Sequence, residues 1–295
     1  MTLASEETVV QDPTVLTTRR GERRPGSWLG QALTYLLLIL GATIMIIPFI
    51  WMVATSLKPG SEILKYTFLP QEPTLQNYQE VLFGTRFPTW YINSIIVAII
   101  STTSVVIFDS LAGYTFAKFE FPLKNLWFIL ILSTLMVPTE MLIIPWFQMA
   151  VKYGWNDTFW GIAFPGVITA AGLFLMRQFM QGVPDELMDA ARIDGMNELG
   201  IFLRIAVPLV KPAIAALAIF NFLGNWNAYI WPLIVASTQA KFTLPVGLAF
   251  FSGESGSDWE LIMTGATLAT IPLLIVFMIF QRQIIRGIAL TGLKG

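Results

Sequence analysis

The chain has 295 residues, of which 55% are apolar and 13% charged, with a formal net charge of −1. A soluble domain carries about 25% charged residues, so this composition describes an integral membrane protein with short loops and no separate catalytic domain. The absence of histidine and cysteine excludes disulfides, thiol chemistry, imidazole acid–base work and His- or Cys-based metal sites, and the near-zero charge gives no reason to expect nucleic acid.

Residues 1–27 are polar and read as a disordered tail rather than a signal peptide. A spanning helix needs about 20 mostly apolar residues. Six segments qualify: 33–53, 92–116, 126–147, 159–180, 206–233 and 262–279. The third is broken by Pro138 and Pro145, the fifth opens on Pro208 and Pro212, and the sixth contains Pro272. Between the first two, residues 55–90 carry Pro59-Gly60, Pro70 and Pro73 and read as a compact cap with a short helix near 77–83. Residues 237–260 form a second large loop, ending at 252–258 in a composition that reads as a flexible turn. Residues 281–295 are a tail. The expected fold is an all-α membrane protein of six transmembrane helices, with 28–90 as first helix and loop and 91–280 as the core.

Lys and Arg set the orientation. With the N-terminus inside, thirteen of the eighteen fall on the inner side, and Lys58, Lys65, Arg86, Lys152 and Lys241 fall outside. Both termini are therefore expected in the cytoplasm, in a multi-pass protein of the cell membrane. The polar loop at 181–206 then faces the cytoplasm too. Pro184 suits the first turn of a helix, Asp185 and Glu186 lie near the positive end of its dipole, and Leu187, Ala190 and Ala191 share a face. Asp194-Gly195 suits a left-handed stop, and Asn197 can cap a second short helix with Leu199, Phe202 and Leu203 on its apolar face. Such a loop could lie on the membrane surface or dock onto a partner.

The full pattern resembles the "EAA" loop of bacterial ABC importer permeases. Asp189-Ala190-Ala191, Asp194-Gly195, Phe202, Ile205, Pro208 and Pro212 stand where that family places an acidic residue, Ala-Ala, Asp-Gly, Phe, Ile and two prolines. Asp189 replaces the usual Glu, and Met196 replaces a usual Ala. Trp226-Asn227-Ala228-Tyr229-Ile230-Trp231-Pro232-Leu233 is similar to a segment of carbohydrate-uptake permeases. Residues 111–118 and the Gly-rich ending at 287–295 resemble those of MalG-like inner permeases. The resemblance implies a type I importer transmembrane domain and docking of Glu186, Asp189, Ala190, Ala191, Asp194, Gly195 and Phe202 onto an ATPase. It also implies the other partners: a second homologous permease, an ABC ATPase dimer holding ATP and Mg, and an extracytoplasmic solute-binding protein, all in membrane lipid. The chain has no Gly-x-x-x-x-Gly-Lys-Ser/Thr phosphate loop, so it is not expected to be an enzyme or to bind a cofactor itself.

Polar groups inside the spans are the candidate pathway. Glu140 follows Pro138, and broken helices in membranes border cavities. Asn221, Asn225, Trp226, Asn227 and Tyr229 offer the amides and aromatic faces that bind sugars; interhelical hydrogen bonding explains them equally well. Asp109 is costly in lipid and is either a buried carboxyl bonded to Ser and Thr hydroxyls or a functional group. Trp51, Trp90, Trp155 and Trp231 read as interface-belt residues. The alternative function is an ion-gradient-driven secondary transporter, with Asp109 and Glu140 as its only coupling candidates; a membrane-embedded enzyme lacks the residues it would need.

Overall fold

The computed structural model describes residues 28–63, 65, 67–253 and 256–292. The expected disordered tail at 1–27 and the last three residues of the Gly-rich ending lie outside them. The chain divides after Ile50 into two units. The described part of the first unit, from Trp28 to Ile50, is helical throughout and belongs to helix α1, Trp28–Ser56. Its Leu36, Leu38, Ile39, Ile44 and Met45 are exposed, as suits a helix solvated by lipid tails. Thr34 and Thr43 donate their hydroxyls to the carbonyls of Gly30 and Ile39 at 2.9 and 2.8 Å, so neither needs water.

The second unit begins at Trp51. The short helix α2, Gln76–Gln79, runs into a wide π turn at Glu80–Gly84, close to the expected helix at 77–83. Asn77 anchors this cap by donating to the carbonyls of Ser56 and Lys58, each at 2.8 Å. The long helix α3, Phe87–Lys118, would measure about 48 Å at 1.5 Å per residue and is the axis of the unit. α4, Lys124–Ser133, and α5, Ile143–Lys152, follow. Then come α6, Phe159–Ala163, and α7, Ala170–Gln181. The polar loop holds α8, Asp185–Ile193, and α9, Glu198–Ile201. After it stand α10, Val207–Leu209, α11, Lys211–Trp226, and α12, Ile230–Val235. α13 is Leu244–Ala249, strands β1 (Ser252–Gly253) and β2 (Gly256–Ser257) pair antiparallel, and α14 is Trp259–Gly292.

Among the described residues three unbroken helices are long and apolar enough to cross a membrane, at Gly30–Ser56, Phe87–Lys118 and Trp259–Gln281, and three bent pairs raise the total to six. The third expected span is folded by 95° between Lys124–Met136 and Thr139–Lys152. Pro138 makes that break, because it offers no N–H to continue the helix. Pro145 sits in the first turn of α5 and breaks nothing. The fourth is bent by 50° between Phe159–Gly166 and Ala170–Gln181, and the fifth by 82° between Glu198–Leu209 and Lys211–Trp226. The straight part of the fifth span therefore runs 211–226, not 206–233: Pro212 restarts the helix, and Asn227 ends it. α14 continues as helix through positions expected to be tail.

Two apolar cores sit along α3. Near its Phe87 end, Phe87, Trp90 and Val97 pack with Trp226, Val235, Leu244 and Val246. Near its Lys118 end, Val105 and Tyr114 pack with Met176, Met180, Met188, Ile201 and Phe202. The loop at 237–244 is tied onto the first core by polar contacts. Trp90 donates its indole N–H to the Gln239 carbonyl, and Asn93 donates to those of Ala240 and Phe242, all at 2.9 Å. Trp90 is 3% exposed, so it is a core residue and not part of an interface belt. Trp231 also turns inward, donating to the carbonyls of Gly161 and Ile162 at 3.1 Å. Trp51 and Trp155 keep partly exposed rings. Where a flexible turn was expected, Ser252–Gly253 pairs with Gly256–Ser257.

Candidate coupling loop and pathway residues

The loop after α7 is braced as a rigid part. Pro184 holds the N-cap position in extended backbone, and Asp185 and Glu186 occupy the first turn of α8, where negative charge meets the positive end of the helix dipole. The helix stops in a left-handed Gly195, φ +79°. Gly195 N–H donates to the Arg192 carbonyl at 3.0 Å, and Met196 N–H to that of Ala191 at 2.9 Å. This doubly bonded stop is the Schellman arrangement, which satisfies carbonyls a helix end would leave open. Asn197 then caps α9 by accepting from the Gly200 N–H at 2.7 Å.

The loop's inner face is packed onto α3 and α7. Met188 and Ala191 are buried, as are Ile201 and Phe202, and the Phe202 ring lies 5.2 Å from that of Tyr114. A charged network locks α8 to α9. Arg192 donates to Glu198 Oε1 at 2.7 Å and to Asp189 Oδ1 at 2.6 Å, and the Tyr114 hydroxyl donates to Glu198 Oε2 at 3.2 Å. The hydrogen bond from Arg192 holds the Glu198 carboxyl below the usual carboxylate range, and Lys118 does the same for Asp185. A depressed carboxyl stabilises above its ordinary pKa and loses that contribution as pH falls through the depressed one, so this network is complete at neutral pH and opens only in acid.

Lys118, at the end of α3, bridges to the loop: Nζ donates to Asp185 Oδ1 at 2.7 Å and to the Val183 carbonyl. Its side chain is 4% exposed. Lys118→Met is expected to loosen the start of α8, because it removes both the ion pair to Asp185 and the donor to the Val183 carbonyl. Hydrogen exchange should show faster exchange at 183–190 and unchanged exchange in α3; equal protection in both proteins would remove the brace.

The other face is bare. Leu187 is 47% exposed, Ile193 87%, Leu199 59% and Leu203 54%. Glu186, Asp189, Ala190 and Asp194 are exposed beside them. The expected apolar faces are thus split between two jobs. Ala191 and Phe202 fasten the loop to the membrane helices, while Leu187, Ala190, Leu199 and Leu203 point outward. Sequence reasoning missed Met188, Arg192, Glu198 and Tyr114. The one available signal was Asp189 and Arg192 at i, i+3 on one helix.

The pathway candidates do not form one cluster. Glu140 is exposed on the 3-10 turn Thr139–Leu142, at the 95° fold. Asn221 and Asn225 do share a face: Asn225 Nδ2 donates to the Asn221 side chain and carbonyl, both at 2.9 Å, and Thr102 of α3 donates to Asn221 Oδ1 at 3.3 Å. Asn221 lines a cleft of about 440 Å³ with Thr169, Leu217 and Phe220. Asn225 lines a smaller one of about 180 Å³ with Trp146, Gly166 and Trp231. Tyr229 is 41% exposed. Asn227 turns back to the Leu223 carbonyl at 2.8 Å as a helix stop. Trp226 is a correction: it is 2% exposed, stacked on Phe222 at 6.0 Å, with its N–H toward the Ala269 carbonyl at 3.3 Å. Its ring is spent on packing α11 against α14 and offers no free face to a solute.

Residues 109–290 match the model of the family described as binding-protein-dependent transport system inner membrane component. The chain belongs to that family. The permease is 35% identical, over 259 residues, to the arabinooligosaccharides transport system permease protein AraQ of Halalkalibacterium halodurans, covering 86% of this chain and 93% of AraQ. It is 34% identical to the lactose transport system permease protein LacG of Rhizobium radiobacter (86% and 93% covered) and 32% identical to the sn-glycerol-3-phosphate transport system permease protein UgpE of Brucella abortus (92% and 99%). The fold of the permease superposes with TM-score 0.78, at 24% identity, on a chain of a bacterial ABC transporter involved in the import of the acidic polysaccharide alginate, covering 86% of this chain and 96% of that one. The permease is thus a multi-pass component of an ABC transport system and a carrier rather than an enzyme.

Proposed function

We propose that this permease carries a di- or oligosaccharide, or a related polyol or glycerol-phosphate-type solute, inward across the cell membrane. Its named relatives handle arabinooligosaccharides, lactose and sn-glycerol-3-phosphate. An ABC ATPase dimer, holding ATP and Mg, docks on the loop at 181–206 in the cytoplasm, where both termini also lie. A second homologous permease closes the pathway, and an extracytoplasmic binding protein delivers the solute. The observation that carries this reading is the exposed apolar face of a loop braced by a Schellman stop and the Arg192 network. A soluble partner covers such a face, because contiguous exposed apolar surface outside lipid is unfavourable. When the ATPases close, the braced loop moves as one body and tips α3 and α7 through Met188 and Phe202. Asn221 and Asn225, on their clefts, are the amides best placed to meet solute hydroxyls. The ion-driven reading is weakened because Asp109 is fully engaged with Thr169.

Affinity extraction of the tagged chain should recover an ATPase and a second permease. Ile193→Glu, which puts a charge on the outward face and touches no buried residue, is expected to abolish ATPase recovery and solute-stimulated ATP hydrolysis while leaving membrane insertion unchanged. Isolation of the chain alone and transport-competent would overturn the assignment.

A further inference from the structure

A cavity of about 530 Å³ lies at the end of α3 remote from the coupling loop, between the last residues of α1 and the first of α14. Lys58, Lys65, Thr55 and Thr67 line it, together with the aromatic rings of Trp51 and Trp259. Lys58 is 3% exposed. Its ammonium reaches the Thr67 carbonyl, and among the described residues no carboxylate pairs with it. A buried cation without an anion is unfavourable. The hydroxyls of Thr55 and Thr67 are also buried without a hydrogen-bond partner. Two cations and two idle hydroxyls therefore converge on one space that contains no anion of its own.

The walls decide what kind of anion fits. Phe68, Ile63 and Met263 make the rest of the lining apolar, which a free phosphate would not use. Trp51 and Trp259 stand at the ends of membrane-crossing helices, the level at which tryptophan meets lipid headgroups. We propose that this cavity holds one acidic phospholipid, its phosphate at Lys58 and Lys65 and its glycerol and upper acyl chain between Trp51, Phe68 and Trp259. The charge favours an anionic over a zwitterionic headgroup. This site lies apart from the coupling loop, and its test does not depend on which solute is carried.

The test uses the full chain in its purified assembly, reconstituted with equal parts phosphatidylglycerol and phosphatidylcholine, then stripped with detergent, with retained lipid counted by native mass spectrometry. Wild type should retain phosphatidylglycerol preferentially. Lys58→Met should lower retention about ten-fold, and Lys58→Arg should restore it. Lys241→Met, a cation lost outside the cavity, should change nothing. Should Lys58→Met not fold, Lys65→Met and Thr55→Val are read instead, and each should lower retention. Equal retention of both lipids, no loss in the cavity variants, or binding of inorganic phosphate with no lipid retained would overturn the proposal.

Discussion

Gly195→Pro is expected to reduce solute-stimulated ATP hydrolysis by the reconstituted assembly at least about ten-fold while the protein still inserts and its membrane core stays folded. Two features forbid proline there. Its ring fixes φ near −65°, against the observed +79°. It also removes the N–H that closes the stop on the Arg192 carbonyl. Backbone held off its preferred region costs about 1–3 kcal/mol, and the lost bond adds about 1 kcal/mol. That is enough to loosen the turn between α8 and α9, whose remaining ties are the Met196–Ala191 bond, the exposed Arg192–Glu198 pair and the shared burial of Met188, Ala191, Ile201 and Phe202. Gly195→Ala isolates the conformational part, because no atom lies within 4 Å of the position its Cβ would take. It should cost about 1 kcal/mol and leave most activity, and Gly195→Asn less still, since Asn tolerates the left-handed region. Full activity in the proline variant would remove the lever role from the loop.

The loop was legible from sequence because its parts are local. Pro184, Asp194-Gly195 and Asn197 act on their own or adjacent backbone, and each sits where its chemistry placed it. The faces were not legible, since helical spacing identifies which residues are apolar but not whether a core or a partner covers them. Ala191 and Phe202 turned to α3, and their neighbours Ala190 and Leu203 turned away. The membrane spans show the same limit. Composition located all six segments, yet proline positions did not reveal which breaks bend: Pro138 folds its span by 95°, while Pro145 lies harmlessly in a first turn. Trp226 and Trp90 were misread for a related reason. An indole ring suits a sugar-binding face, as expected of Trp226, or a lipid interface, as expected of Trp90, as well as it suits a core, and only the tertiary partner, Ala269 for one and Gln239 for the other, decides.

Asp109→Leu is expected to lower the apparent thermal midpoint of the purified permease by on the order of 10 °C, because a carboxylate with no exposure would be exchanged for a group that bonds nothing. The reading from sequence left Asp109 between a structural and a functional role and looked for Ser and Thr partners. The partner is Thr169, the residue that caps α7. Its N–H donates to Asp109 Oδ1 at 3.0 Å and its hydroxyl to Oδ2 at 2.6 Å, while the same hydroxyl accepts from the Gly172 N–H at 3.0 Å. Asp109 thus closes a relay across the start of α7, at the 50° bend between the two halves of the fourth span, where the helix dipole favours negative charge. Hydrogen bonds to a charged group contribute about 1.5–3 kcal/mol each, and leucine loses both while leaving the half-buried Thr169 N–H without its acceptor. Space is fixed as tightly as charge. A Cβ on Gly172 would lie 2.0 Å from Asp109 Oδ2, so Gly172→Ala must push the carboxylate off Thr169 and should approach the same loss. Asp109→Asn keeps one acceptor for the N–H and should fall by about half as much. In the double variant Asp109→Leu with Thr169→Val the second change should cost less than it does alone, since the hydroxyl it removes has already lost its partner. Strict additivity, or an unchanged midpoint in Asp109→Leu, would mean that the relay does not hold the bend and that Asp109 is kept for another purpose.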